Sequence, residues 1–527
     1  MAADSPKTDW KKRESLPSAL VQIAVVGVVL ALAVVLIYRR GTSKRELGEL
    51  IKEARVAAIR GNPADLRKGL KLAEEAIARD SSSGEALALA ASVETDLWLL
   101  HAEPGAEAKA KEYLGRSKKA DGKKTEEQYG TEALQLLAAG QANQAETFVE
   151  DLRKKGANSA KLSYAQGLAY KAQGNLQLSK TGLTSAIDKA WKDPQYSSAW
   201  AEAILEEGVP GAIDTFNKSL GTNADYFRAK LGLSLARVMK KDRVGDAANM
   251  VKDVQAHDAQ LSPPLRARAL TVQAHIANLE TQSDQAVTLA NQALGLNPKD
   301  VWASFAKANA LAAKKDPGAA AAFTEVVTKE PSAPVFYFEG AKNLLAAGQG
   351  DAALVLLDKY EAFFKNVKNQ TAEGKEVAFL DRDDRYWLTR GDVLRDTGKL
   401  DPAMAAYDKA IEAKNLNLTK AYYAKGALLL SKKEYDKARE ILLDITPPDG
   451  SGQIAEAYLA MGEVAFAKKD YAGACQTMVY GLIRMKAQQA PREQMNGILN
   501  DVEKRLKAAN QTALAKVWLD EAKNFIQ

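Results

Sequence analysis

The sequence predicts an all-α chain: a single N-terminal transmembrane helix followed by an α-solenoid superhelix of stacked helical hairpins. Three observations carry this. Residues 19–38 form an uncharged apolar run. Small and aromatic residues recur at a fixed step in the C-terminal third. Helix-favouring residues dominate a chain of 527 residues with 16 prolines, too long for one ordinary globular core.

Residues 1–18 are a basic tail with Lys7, Lys11, Lys12 and Arg13. The run ALVQIAVVGVVLALAVVLIY at 19–38 is long enough, at 1.5 Å per residue, to cross roughly 30 Å of bilayer core. Tyr38 stands where an interfacial aromatic would, with Arg39 and Arg40 beyond it. Ala31–Leu32–Ala33 resembles a signal-peptide cleavage site, but the run continues through Ile37. No cysteine follows it, which argues against a bacterial lipid anchor. Residues 39–49 read as a juxtamembrane linker.

Orientation stays open. The basic residues after the run favour a cytoplasmic head, while the compact cluster Lys11–Lys12–Arg13 favours an exported one. The expectation is a single-pass protein of a bacterial inner membrane. Its solenoid would lie in the periplasm, or otherwise in the cytoplasm.

Residues 50–121 read as divergent hairpins around Ala73, Ala76 and Ala88, and 122–359 as repeats. In the latter, Ala286, Ala319 and Ala352 mark successive second helices. Residues 360–384 are an insertion, or an extension of a second helix. Residues 385–491 hold the best-formed repeats, and 492–527 the terminal capping helices, with Leu499, Val502, Leu506, Leu514, Val517, Trp518 and Phe525 as their apolar set. About ten to twelve hairpins are expected, with no sheet.

Within 385–491 the packing positions are Trp387, Gly391, Ala403, Tyr407 and Ala410, then Tyr422, Gly426 and Ala438, then Tyr458, Gly462 and Ala474. Glycine lets a second helix approach closely. Gly398 ends one helix in a left-handed cap, and Asp401–Pro402 opens the next with proline as its first residue. The segment from Trp387 to Asn415 resembles a nearly complete repeat of the tetratricopeptide superfamily, of the membrane-anchored bacterial type. The resemblance implies hairpins stacked into a right-handed superhelix whose concave groove takes a peptide. Its groove positions fall on Arg385, Leu388, Asp392 and Arg395, on Lys420 and Tyr423, and on Glu456, Leu459 and Phe466. The lysine–asparagine carboxylate clamp of some members is missing, since Asp392, Ala427 and Glu463 occupy its asparagine position.

No catalytic constellation is visible. His101, His257 and His275 are isolated, and Cys475 reads as a packed thiol. The segment GVPGAIDTF at 208–216 reads as a helix-to-helix turn, and DRDD at 381–384 as a charged helix start. The net charge of +6 comes half from residues 1–40, so no nucleic-acid footprint is expected. Neither a metal, a cofactor nor a small-molecule substrate is expected. The function expected is a membrane-tethered protein–protein interaction scaffold or adaptor within a bacterial envelope assembly, with no enzymatic activity. It would bind a protein or peptide through the solenoid and the lipid bilayer through 19–38. The alternative is a structural subunit of a larger envelope transport, secretion or motility complex.

Overall fold

A computed structural model describes residues 16–120, 125–370 and 374–526, so the basic tail up to residue 15 lies outside it. The chain divides into two compact units. The first comprises the described residues to Leu99 together with Glu103–Glu132. The second comprises Leu100–Ala102 and the residues from Ala133 onward.

The first unit contains α1 (Leu16–Ala58), α2 (Pro63–Arg79), α3 (Gly84–His101), α4 (Ala106–Ala120) and the start of α5 (Glu126–Ala138). Helix α1 runs unbroken through 39–49, so the expected linker is helical. The reason is visible in its sequence: Leu47, Leu50, Ile51, Ala54 and Ala58 recur at helical spacing and pack on α2. The closest approach is at Gly69, where an added Cβ would lie 2.9 Å from the Ala54 carbonyl oxygen. Among the described residues no helix is long and apolar enough to cross a membrane. Within the expected span, side chains are described for residues 21–31, all of them exposed. The side chains of residues 19–20 and 32–38 lie outside the description.

The second unit is a row of antiparallel helix pairs. It continues with α6 (Ala142–Lys154), α7 (Ala160–Ala172), α8 (Leu176–Lys189), α9 (Pro194–Glu207), α10 (Ala212–Thr222), α11 (Phe227–Lys240) and α12 (Val244–Gln255). Next come α13 (Pro263–Leu279), α14 (Ser283–Leu296), α15 (Val301–Ala313), α16 (Ala319–Lys329), α17 (Pro334–Ala346) and α18 (Gly350–Phe364). The row ends with α19 (Asp384–Asp396), α20 (Leu400–Glu412), α21 (Leu418–Ser431), α22 (Tyr435–Leu443), α23 (Ala455–Ala467), α24 (Tyr471–Ala487), α25 (Arg492–Ala508) and α26 (Thr512–Ile526).

One contact repeats through the row. A Cβ added at Gly167, Gly340, Gly426 or Gly462 would come within 2.5–2.9 Å of the side chain sixteen residues later: Leu183, Leu356, Leu442 and Met478. Gly391 meets Tyr407 in the same way. Each glycine is where the first helix of a pair crosses the second, and the constant offset is the physical content of the sequence period. The pairs turn through one left-handed residue: Gly348 and Gly398, but also Lys241, Lys315, Lys433 and Lys469, with φ between 55° and 63°.

Several expectations are corrected. Ala353, not Ala352, is the fully buried small residue of α18, which gives steps of 33 and 34 residues from Ala286 through Ala319. Trp387 packs half-buried against the core, its Nε1 donating to the Leu380 carbonyl at 2.9 Å, and Tyr386 beside it is the fully buried aromatic of α19. Helix α20 begins two residues before Pro402. Proline is tolerated there because the first N–H groups of a helix have no partner within it. Residues 212–216 belong to α10 rather than to the turn before it. Val517 and Phe525 of the cap are exposed.

The insertion is neither a longer helix nor an open loop. After Phe364 it forms an antiparallel hairpin, β1 (Lys368–Gln370) with β2 (Glu376–Ala378), pairing Asn369 with Val377. A short 3-10 turn, Leu380–Arg382, leads into α19. So the head is not free of sheet. Phe364 stacks on Phe379 and packs on Tyr360, which stacks in turn on Tyr386. These rings tie the hairpin to the core on either side.

Candidate partner-binding face

The first helices of the pairs carry every expected groove residue. In α19, Arg385 is not free: its Nη1 donates to the Glu207 carbonyl at the end of α9, 2.7 Å away, and its guanidinium lies over Phe338. Burial would lower its pKa, but Asp383, Tyr360 and Glu207 raise it further, so the cation is held firmly. Leu388 packs against the main core. Asp392 accepts from Tyr407 Oη at 2.9 Å and lies 3.3 Å from Arg395. Burial pushes the Asp392 carboxyl up, against the pull of those two neighbours. The hydrogen bond to Asp396 holds the Arg395 cation in place.

In α21 and α23 the lining is more open. Lys420 and Glu456 are exposed and Tyr423 is half-buried. Burial, with help from the Glu456 charge, raises the Tyr423 phenol. Leu459 packs on Gly481 of α24. Phe466 is buried beneath the Arg505 guanidinium, which Glu463 grips at 2.7 and 2.9 Å. Neither Leu459 nor Phe466 is therefore open lining. The packing set lies where its spacing requires. Gly391, Gly426 and Gly462 sit at crossings, and Ala403, Tyr407, Ala410, Ala438, Tyr458 and Ala474 are buried, with Tyr422 partly so.

The acidic run before α19 is structural. Asp383 caps the helix and accepts the Tyr360 phenol. Asp384 accepts from Asn417 N at 2.5 Å and so binds one repeat to the next. Among the described residues no group of three or more His, Cys, Asp or Glu could hold a metal ion. Cys475 is buried, and burial pushes its thiol up to about 11, far from a nucleophilic thiolate at neutral pH.

Sequence reasoning missed a charged ladder on the first helices α7 to α15. Lys171 pairs with Glu206 at 2.5 Å, Arg228 grips Glu202 through two hydrogen bonds, and Arg268 lies 3.7 Å from Asp300. Burial raises Glu202, but Arg228 outweighs it and the carboxyl ends below its ordinary range. Glu206 goes the other way: burial and the like charges of Glu330 and Glu202 outweigh Lys171. Burial likewise raises Glu207. The Tyr226 phenol and one Arg228 nitrogen are buried without a hydrogen-bond partner. Helix α9 also packs against α17, and Gly208 meets Val335, so this stretch of the face is covered by the array itself. The paired charges sit on different helices, so the sequence of one helix gives no sign of its partner. Only the ladder of neighbouring helices reveals the pairing.

This face presents fixed cations and carboxylates and a few carboxamides. The tetratricopeptide repeat family profile matches residues 384–415, which is α19, α20 and the turn between them. No curated protein sequence matches the chain. Among solved structures it is similar to a human IFIT1 dimer with PPP-AAAA, at 15% identity and a TM-score of 0.42, over 75% of this chain and 90% of that one. It is also similar to the APC/C hetero-tetramer Cut9–Hcn1, at 13% identity and a TM-score of 0.39, over 92% of this chain and 88% of that one. The chain carries a tetratricopeptide repeat at 384–415, set in an all-α solenoid of helix pairs.

Proposed function

We propose that this chain is a membrane-tethered scaffold that holds a protein or peptide partner on the face formed by its first helices, and that it catalyses nothing. The observation that carries the reading is the state of α21 and α23. They follow the matched repeat at 384–415 and keep Lys420 and Glu456 exposed, with Tyr423 half-buried, on that face. Helix α9, by contrast, is already covered by α17.

The tether rests on α1. Val21, Ile23, Val25, Val26, Val28, Val29 and Leu30 are each more than half exposed, on all sides of one helix. Leaving such side chains in water forgoes about 1.5–3 kcal/mol apiece, which a bilayer would recover. The membrane is a bacterial inner membrane, and the solenoid lies on its periplasmic side. Lys11, Lys12 and Arg13 ahead of the run support that orientation. Alkaline phosphatase and green fluorescent protein fused at Gln527 separate the two sides, since each reports from only one.

The function is tested by photo-crosslinkers placed at Lys420 and Glu456 in native membranes, with Lys437 on α22 as the comparison. A discrete protein adduct from the first two positions and none from the third is expected. Equal adducts from both faces would favour a subunit packed on all sides, and none from either would end the scaffold reading.

A further inference from the structure

The hairpin insertion interrupts the row at 365–383, where a short turn such as 330–333 suffices to join α16 to α17. Insertions of this kind in repeat arrays often carry binding. This one reaches across the second unit. An added Cβ at Gly174, in the turn between α7 and α8, would lie 2.7 Å from Phe363 Cε1 and 3.0 Å from Phe364 Cε1, at the foot of the hairpin. Arg385, just beyond the hairpin, is bonded to the Glu207 carbonyl at the end of α9. These contacts fix two walls around a cleft of about 570 Å³. One wall is the α7–α8 turn with the start of α8, and the other is the hairpin with the residues just before it.

The lining is polar but has no net charge. Its two ions, Lys368 and Glu376, pair with each other at 2.9 Å. The rest is mostly carboxamide and hydroxyl, with hydrogen-bonding capacity left over. Gln173 Nε2 donates to Glu146 at 2.6 Å, which leaves its Oε1 to accept. Asn175 Oδ1 accepts the Leu178 amide at 3.1 Å as the cap of α8, which leaves its Nδ2 to donate. Thr181 Oγ1 donates to the Gln177 carbonyl at 3.2 Å, which leaves its lone pairs. On the facing wall Asn366 is exposed and offers both a donor and an acceptor. An ionic ligand would lose water on entering and find no net opposite charge. A peptide's apolar side chains would find only Leu178 and Val367. A hydroxyl both donates and accepts, so a neutral molecule dense in hydroxyls matches donors and acceptors mixed this closely. Its C–H edges can rest on the same two apolar residues, and the volume is in the range of small-molecule sites.

We propose that the cleft between the α7–α8 turn and the insertion hairpin binds a neutral disaccharide unit, bridged between Asn175 and Thr181 on one wall and Asn366 on the other. The site lies apart from Lys420 and Glu456 and does not depend on the scaffold reading.

The test uses the full-length chain in a detergent whose head group is not a sugar, titrated calorimetrically with cellobiose, maltose and N,N′-diacetylchitobiose. At least one should bind, and it should slow amide exchange in 173–181 and in 366–370 together. Thr181→Val and Asn366→Ala, both at exposed positions, should each weaken binding about fivefold, the loss of one hydrogen bond, while Lys437→Ala should change nothing. Digalacturonate and the deacetylated, cationic chitobiose should bind more weakly than the neutral sugars. Longer chains of the sugar that binds separate two sources of the same chemistry: a gain in affinity marks a glycan strand, and no gain a free sugar. Should either variant fold poorly, the exchange pattern of the native chain decides alone. The proposal is overturned if no neutral sugar binds, if a charged one binds best, or if protection appears on one wall only.

Discussion

Gly391 gives the sharpest test of the helix-pair packing. A Cβ added there would lie 2.6 Å from Tyr407 Cδ1 and 3.1 Å from Cζ, where ordinary contact begins near 3.4 Å. The ring must move by most of an ångström. It has little freedom: Tyr407 is fully buried and its hydroxyl is held by Asp392. Relief therefore requires α19 and α20 to separate. Overpacking of this kind costs about 1–3 kcal/mol, and replacing a helical glycine by alanine returns up to about 1 kcal/mol of propensity. Gly391→Ala should thus destabilise this pair by about 1–2 kcal/mol, and Gly391→Leu by about 2–4 kcal/mol. Gly497 in α25 is the matched comparison, because it is exposed and an added Cβ meets nothing within 4 Å. There Gly497→Ala should stabilise by about 0.5–1 kcal/mol. Amide exchange resolved by helix is the assay, since a solenoid loses stability locally before it unfolds as a whole. Faster exchange confined to α19, α20 and their neighbours is expected. If Gly391→Ala behaves like Gly497→Ala, the crossing has been read wrongly.

Three other outcomes are expected. Burial holds the His275 imidazole down to about pH 4, against 6.5 when free. The unfolded chain takes up its proton first, so this residue's contribution falls as pH drops from about 6.5 to 4, by up to about 3 kcal/mol. His275→Gln should flatten the urea midpoint across that window relative to the parent, and parallel curves would refute the buried neutral ring. Arg228→Met strands the Glu202 carboxylate and should cost about 3 kcal/mol, with Glu202→Gln in the same chain recovering most of it in thermal unfolding. No recovery would mean the pair is not coupled. Lys433 holds φ at 61°, so Lys433→Gly should raise stability by about 0.5–1 kcal/mol, and a loss would show that the side chain contributes more than its backbone strain costs.

What could be read in advance depended on the range of the interaction. The glycines at 391, 426 and 462 were visible because one helix pair packs through residues a fixed number apart along the chain. That Tyr386 is buried more deeply than its neighbour Trp387 has a local reason. Two adjacent aromatics point roughly 100° apart on a helix, and only the neighbouring Tyr360 and Glu361 decide which one turns inward. The hairpin at 368–378 left a faint trace in the alternation of Val377 and Phe379, with Gly374 to make the turn. A strand of three residues is too short for that alternation to stand out. Arg385 reaches Glu207 across 178 residues, and nothing local encodes such a contact.

That last contact also bears on where a partner can sit. Along α7 to α15 the charges are satisfied by one another, and each pair has already lost part of its water. A ligand entering there must either break a desolvated pair, at a cost of about 3–5 kcal/mol, or leave the pairs intact and gain little from them. Glu206 sharpens the point, since burial and neighbouring acids already lift its carboxyl and Lys171 only partly offsets them. At Lys420 and Glu456 the balance reverses. Both are hydrated and exposed, so a partner's opposite charge costs little desolvation and its binding should weaken with salt. Measured at low and high ionic strength, a partner held by these two residues should therefore bind more weakly as salt rises. Affinity unchanged at about 1 M salt would instead mean that Lys420 and Glu456 take no part in binding.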